Sequence, residues 1–290
     1  MTQSFKEALD SGKFLVTAEV APPKGTDVGK VMSAVKDLKD VVAAVGVADN
    51  PGAVMTMSPW ALCWLIAESG GEPIMHITCR DRNRMALQSE LLAAAFLKIR
   101  NVLCVSGDHV SFGDHKDARP VHDIDSVQLI EVIRGLVQGQ DMTGHQLTGQ
   151  PAFCVGAVAN PEADPLPPQL MKFQKKIQAG VDFVVTHPVF NLDNLKPFLK
   201  EAREKGVKLL AGVRLLVSDE VLTYRDGSRP GLFVPESILA EIEGAGLDKG
   251  VEVAVRLIKG MKEKNLCDGV HISAPGHEEK IIDIIKAAGI

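Results

Sequence analysis

The sequence predicts an α/β fold with one domain, a (β/α)8 TIM barrel covering residues 1–290. Three observations predict it. Apolar strand-like runs alternate with amphipathic helical patterns from end to end, eight of each. The length suits one such barrel, and no composition break, linker, repeat or low-complexity tract divides it. The first strand ends in Ala21-Pro22-Pro23-Lys24-Gly25. An open, doubly wound sheet normally carries a G-x-G-x-x-G turn at that point, so that sheet is the second choice.

Phe14–Val20 is the first strand, an apolar run closed by a proline–glycine turn. Thr26 or Asp27 then offers an N-cap, followed by Val28, Val31, Met32, Val35 and Leu38 at helical spacing. Val42–Ala48 is the second strand, and Ser58-Pro59 opens the next helix with proline at its first position. Three strand–helix pairs follow: Pro73–Thr78 with Arg84–Lys98, Asn101–Ser106 with Asp125–Val137, and Ala152–Val158 with Pro167–Ala179. Asp182–Thr186 is the sixth strand, Leu192–Lys205 its helix, and Lys208–Arg214 the seventh strand. Ser218–Glu236 is the least regular stretch and is expected to be a long loop with room for a short helix. Helix Lys249–Lys264, strand Gly269–Ser273 and helix Glu278–Ala288 finish the alternation.

Composition narrows the function classes. A hydrophobic fraction of 46% supplies a large core, while one tyrosine and two tryptophans argue against an aromatic platform for single-stranded nucleic acid. The formal charge of −5 predicts no general attraction to phosphate backbones. Cys63, Cys79, Cys104, Cys154 and Cys267 lie far apart with no C-x-x-C, so reduced core thiols in a cytoplasmic protein are expected, without a zinc ribbon or iron–sulfur cluster. The N-terminal residues lack a signal-peptide pattern, and no run approaches the roughly 20 apolar residues of a membrane span.

Glu19 is the first candidate for chemistry. Strand side chains alternate, so Leu15, Thr17 and Glu19 share one face, while Phe14, Val16, Ala18 and Val20 form a wholly apolar one. A carboxylate on such a strand is costly to bury unless paired, hydrogen-bonded or protonated. In barrels the chemistry sits at the strand C-termini. The other tips bring Asp49-Asn50, His76 to Asp81, Ser106-Gly107-Asp108-His109, Ala157 to Asn160, Thr186-His187, Arg214, and His271 with Ser273. The loop from Gly107 to Asp125 is rich in His and Asp, but its spacings match no standard zinc or calcium motif, and no metal is expected. Lys172, Lys175 and Lys176 are either a solvated face or phosphate contacts of a cofactor lying across the strand ends.

Four segments, in order and at matching spacing, resemble the 5,10-methylenetetrahydrofolate reductase family. A-E-V-A-P-P-K-G at Ala18–Gly25 is similar to its first-strand motif, and M-H-I-T-C-R-D at Met75–Asp81 to its His-x-Thr segment. S-G-D at Ser106–Asp108 resembles its Arg-Gly-Asp, and Lys175–His187 its Arg-Lys-x-x-Ala-Gly-Ala…Thr-Gln. The likeness runs over nearly the whole chain. It implies a flavin-binding barrel that reduces methylenetetrahydrofolate to 5-methyltetrahydrofolate. By this resemblance Glu19 is the general acid toward the folate, and Asp108 lies by flavin and pterin. Thr186 and His187 contact pterin and flavin. His76, Thr78, Ser106, Gly107, Asp108, Ala157, Asn160, Lys172 and Lys176 line the flavin site. Burial and the like charge of Asp108 are expected to raise the Glu19 pKa toward neutrality.

Departures from the family pattern qualify the cofactor and the electron donor. His187 stands for glutamine and introduces a group able to charge near neutral pH, and Ser106 stands for arginine. Small or non-aromatic residues at Val158–Asn160 replace the tyrosine and histidine that flank adenine in FAD-dependent members, leaving FMN beside FAD. Glu220 falls near the family's loop phenylalanine. The compact chain is similar to flavin subunits that receive electrons from an iron–sulfur partner, so NAD(P)H and such a partner both stand as donors, and an oligomer or complex is expected. The competing readings are a pterin-binding methyltransferase serving a corrinoid protein, a non-enzymatic binding subunit, and a metal-dependent hydrolase built on the His/Asp loop.

Overall fold

A computed structural model describes residues 3–229 and 231–290. Among the described residues, eight parallel strands close into a barrel in sequence order. They are β1 (Leu15–Val20), β2 (Ala44–Val47), β3 (Pro73–Thr78), β4 (Asn101–Val105), β5 (Cys154–Ala159), β6 (Phe183–Pro188), β7 (Lys208–Arg214) and β8 (Gly269–Ser273). The helices are α1 (Phe5–Asp10), α2 (Gly29–Leu38), α3 (Pro59–Glu68), α4 (Arg84–Phe96), α5 (Ser126–Val137), α6 (Leu166–Gln178), α7 (Leu195–Glu204), α8 (Val221–Arg225), α9 (Glu236–Ile242), α10 (Leu247–Glu263) and α11 (Lys280–Ala288). The expected fold class is therefore the observed one, with strand limits moved by one or two residues. No helix among the described residues is long and apolar enough to cross a membrane.

The two faces of β1 divide as the alternation requires. Val16, Ala18 and Val20 pack outward into the large core between strands and helices. Leu15 points inward, into a second cluster with Ala44, Ile74, Leu103, Cys154, Phe183 and Leu210. That inner cluster is closed at the N-terminal end of the barrel by α1, an element without a signal in the sequence because six residues are too few to display a helical period. Its start is fixed by a capping box between Ser4 and Glu7. Phe5 is fully buried and meets the Phe183 ring edge-to-face at 5.2 Å between centroids. The floor of the barrel is thus filled by packed side chains, and the cavity among the described residues lies at the opposite end.

Glycine makes room for bulky groups within the barrel. A Cβ on Gly46 of β2 would lie 2.9 Å from His76 Nε2 and 3.0 Å from His271 Cε1, so the two imidazoles occupy the volume a side chain would take. The expected N-cap at Thr26 or Asp27 is corrected: Val28 takes the cap position of α2 without a side-chain bond, while the Asp27 carboxylate accepts the Gly29 N–H at 2.9 Å. The segment expected to be a long loop contains a 3-10 turn at Ser218–Glu220 and α8, while the expectation for Pro230 lies outside the described residues. All five cysteines are free and buried, and burial pushes the thiols of Cys79 and Cys267 up to about 12.

Candidate active site

A cavity of about 540 Å³ opens at the C-terminal ends of the strands, where every strand or the loop after it contributes a wall residue. Its size falls within the range of cofactor and substrate pockets. Leu103, Val105, Val158 and Val185 form an apolar side, and Glu19, Asp108, Arg214, Lys172 and Lys176 supply charges around it. This donor set suits a flat apolar ring system carrying an anionic tail.

Glu19 lies at the inner wall, its side chain 28% exposed toward the cavity. Its Oε2 stands 3.4 Å from His271 Nε2 and 3.8 Å from His76 Nδ1. Thr17, the inward residue one step below on β1, is the cross-strand partner of His271, and its hydroxyl bonds His271 Nδ1 at 2.9 Å. The same hydroxyl lies 3.3 Å from the Val270 carbonyl. His76 is 6% exposed, and its Nε2 is buried without a partner. Burial drives the His76 pKa down to about 4, against the pull of Glu19.

The expected pairing of Glu19 with Asp108 is corrected. Burial raises the Glu19 pKa, but the His271 hydrogen bond and the fields of His76, His271 and Arg214 outweigh it and hold the carboxyl at about 2. Strand β8 supplies what the sequence reading assigned to the loop after β4. Asp108 is occupied elsewhere: its Oδ2 accepts the Gly52 N–H at 3.2 Å, and its carbonyl accepts Arg80 Nη1 at 3.1 Å.

Arg80 organises the three loops on that side. It is only 2% exposed, forks onto Asp81 at 2.7 Å through both Nε and Nη2, and donates to the carbonyls of Asn50 and Asp108. Below it, buried Asp49 accepts from Arg82 at 2.7 and 3.3 Å and from the Thr78 N–H at 2.9 Å. Gly107 turns with φ +87°, and a Cβ there would strike Thr78 Oγ1 at 2.3 Å. The loop before Asp108 therefore folds tightly onto β3, which aims Ser106, Gly107 and Asp108 into the cavity.

On the opposite side β6 slips register against β7 between Val185 and Pro188. Such a bulge re-aims side chains next to active sites. Thr186 repairs it, donating its hydroxyl to the His187 carbonyl at 2.7 Å and accepting the Gly212 N–H at 2.8 Å. The Thr186 hydroxyl is thereby committed to the backbone. His187 faces the cavity, with Nδ1 3.1 Å from the Gly231 carbonyl. A carbonyl only accepts, so Nδ1 carries the hydrogen and Nε2 keeps a free lone pair. Burial lowers the His187 pKa despite the counter-pull of Asp108 and that carbonyl, so the expected charge near pH 7 gives way to a neutral acceptor. Lys176 is buried and donates to the Val158 carbonyl at 2.5 Å, its pKa lowered to about 8 by burial and by Lys172.

Of the residues singled out from sequence, Glu19, His76, Ser106, Gly107, Asp108, Asn160, Lys172, Lys176, Thr186 and His187 all reach the cavity surface. Thr78 and Ala157 do not. Both are fully buried in the wall, and the Thr78 hydroxyl donates to the Ser106 carbonyl and accepts the Arg80 N–H. The His/Asp loop holds no convergent cluster among the described residues. Its Asp114 accepts from Lys24 and the Met55 N–H, Asp123 accepts from Arg84, and Asp125 caps α5. His271, Arg214 and Arg80 were on the strand tips but unassigned. The signal that finds His271 is its pairing with Thr17, which needs the β1–β8 register.

Comparison with known proteins agrees with this architecture. EDTA monooxygenase (EmoA) from Chelativorans sp. BNC1 superposes with a TM-score of 0.57 at 12% identity, covering 96% of this chain and 95% of that one. DmoA from Hyphomicrobium sulfonivorans gives 0.54 at 9% identity, covering 96% and 88%, and at such identities the likeness concerns the fold alone. A probable methylenetetrahydrofolate reductase (NADPH) from Caenorhabditis elegans is 21% identical over 76% of this chain and 33% of its own length. Methylenetetrahydrofolate reductase 2 from Schizosaccharomyces pombe is 24% identical over 74% and 35%. The chain thus spans about a third of the length of these curated relatives. The family model described as methylenetetrahydrofolate reductase matches residues 4–289. With that match running across the barrel and every wall of its cavity, the chain belongs to the methylenetetrahydrofolate reductase family.

Proposed function

We propose that the protein is a flavin-dependent oxidoreductase that reduces 5,10-methylenetetrahydrofolate to 5-methyltetrahydrofolate. The observation that carries this reading is Glu19, an ionisable group on the inner wall of a closed barrel, facing a cavity of cofactor size within a family match that spans the chain. The flavin, when bound, supplies hydride. The chain's own residues bind, orient and move a proton. Ser106, Asp108 and Asn160 offer polar contacts to a ring system, Lys172 and Lys176 attract an anionic tail, and the valine and leucine walls exclude water. Glu19 passes a proton to N10 of the folate, N10 leaves the bridging carbon with the bonding electron pair, and a cationic iminium forms at N5. The Asp108 carboxylate favours that cation. Neutral His187 offers Nε2 as an acceptor to a pterin N–H.

Val158, Ala159 and Asn160 present no aromatic ring to an adenine, which favours FMN over FAD. Glu220 is tied by Arg214, Arg229 and Tyr224, so the position near the family's loop phenylalanine offers a salt-bridged carboxylate rather than a ring to a nicotinamide. That supports electron delivery by an iron–sulfur partner protein. Both tryptophans, Trp60 and Trp64, are exposed one turn apart on α3, and Leu92 and Phe96 are exposed on α4. These exposed apolar side chains support an oligomer or complex. The test is to release and identify the bound flavin, then assay methyltetrahydrofolate oxidation with a viologen dye and with NAD(P)+. Dye activity alone supports a protein donor. A protein that stays colourless after flavin is added, with no folate turnover, defeats the reading.

A further inference from the structure

The cavity has two separate cationic sides. Lys172 and Lys176 stand on α6, whereas Arg214 and Arg229 stand on β7 and in the loop that follows it. The proposed reaction uses the lysines for the anionic tail of a flavin and leaves the arginines without a task. Arg214 is the last residue of β7, and its side chain is 16% exposed. Among the described residues its guanidinium makes one hydrogen bond, from Nη2 to Glu220 Oε2 at 3.2 Å. The Tyr224 hydroxyl donates to that same oxygen. Arg214 Nε is buried without a partner. The other Glu220 oxygen accepts from Arg229 Nη2 at 2.6 Å. One carboxylate therefore serves two guanidinium groups, and the cluster keeps one positive charge on the cavity wall. A guanidinium has more N–H donors than this arrangement occupies, and a mostly buried cation short of acceptors is costly. Glu278, on the loop after β8, is engaged by the Gly276 N–H.

We propose that Arg214 and Arg229, bridged by Glu220, form an anion subsite that selects a folate by a carboxylate of its glutamyl arm. The inference rests on the proposed reductase reading and deepens it by giving the substrate's tail a place. The spacing suits that ligand. The strand register pairs Glu19 with Ser273 and Ser273 with Arg214, so Glu19 and Arg214 stand two strands apart on the rim. Two strand spacings are roughly 10 Å. With N10 at Glu19, the aminobenzoyl ring and the amide beyond it cover such a span and bring the α-carboxylate to the guanidinium groups. The charge suits it as well. A single carboxylate neutralises the cluster, and it accepts from donors that Glu220 alone cannot occupy. Glu220 keeps the two guanidinium groups together, so the ligand meets a fork that is already assembled. A pterin without a charged arm finds no counterpart on this wall.

The subsite can be read by binding, without turnover. Titration calorimetry on the purified flavin-loaded protein compares 5-methyltetrahydrofolate with its bis-amide, in which both glutamyl carboxylates are neutral. The bis-amide should bind about 10- to 100-fold more weakly. Arg214→Met should remove most of that gap by weakening the acid form alone. Should that variant fail to fold, Arg229→Gln tests the same point, since its side chain is 46% exposed, and it should narrow the gap about threefold. Equal wild-type affinity for the two ligands overturns the proposal. So does a gap that both variants leave unchanged. An Arg214→Met variant that weakens both ligands alike also overturns it, because that marks a structural role. Loss of flavin affinity in Arg214→Met with the folate gap intact overturns it too, and gives the arginines to the cofactor's phosphate. If the wild-type protein binds neither form, the reductase reading falls and the subsite with it. If it binds both equally and reduces methylenetetrahydrofolate, only the subsite falls.

Discussion

At the residue scale, the site depends on pairs of groups whose charges set one another. Glu19→Gln keeps the shape of the side chain but removes the acid of the proposed reaction, and it should lower the proposed folate reduction by about 100-fold or more. Flavin reduction by an artificial donor should survive in the same variant. Residual folate turnover at the wild-type rate would remove Glu19 from the mechanism. His76 has a stability consequence with a definite sign. It binds its proton near pH 6.5 in the unfolded chain and near 4 in the folded one. Between those values the unfolded state holds more protons, so the folded state is destabilised as pH falls through that window, by up to about 3 kcal/mol. Urea unfolding at a series of pH values should show that slope, and His76→Gln should flatten it. Asp49 and Arg82 form a buried ion pair, with side chains 1% and 11% exposed. Asp49→Ala leaves the Thr78 N–H without its acceptor and the Arg82 guanidinium with Glu90 on its Nε, and should cost about 2–3 kcal/mol in unfolding free energy.

At the scale of elements, small residues and a short helix decide where open space lies. Gly46 on β2 sits between the two site histidines, and Gly46→Ala must push one ring aside. The expected cost is about 1–3 kcal/mol, with a loss of folate reduction larger than that loss of stability implies, because the displaced rings flank Glu19. Helix α1 closes the other end of the barrel. Phe5→Ala opens a cavity against Phe183 and should cost about 3–5 kcal/mol while leaving flavin affinity unchanged, since the floor lies at the far end from the cavity. The bulge in β6 acts through Thr186, whose hydroxyl replaces a ladder bond so that His187 can turn inward. That role makes Thr186 a support of the site.

At the scale of the whole molecule, parallel strands with both faces covered give near-continuous apolar runs, and those runs made the fold legible. The eight strand positions and the Glu19 face follow from alternation and length, which are local properties. The helix beginning at Asp125 and the proline start of α3 are legible for the same reason. The partner of Glu19 is a different kind of fact. Glu19 and Asp108 are carboxylates at the tips of β1 and β4, and the sequence offered no reason to prefer His271, which lies 252 residues away. Closure of the barrel puts β8 beside β1 in a register that sets Thr17 opposite His271, and only then does the carboxyl acquire its hydrogen-bonded neighbour. The sequence by itself determined the barrel, the end that carries chemistry and the residue types gathered there, because periodicity and strand polarity act along the chain. The tertiary structure alone decided the charge state of Glu19, the neutrality of His187 and the withdrawal of Thr78 and Ala157 from the cavity. Each of these depends on distances between strands, and fields and burial act through space.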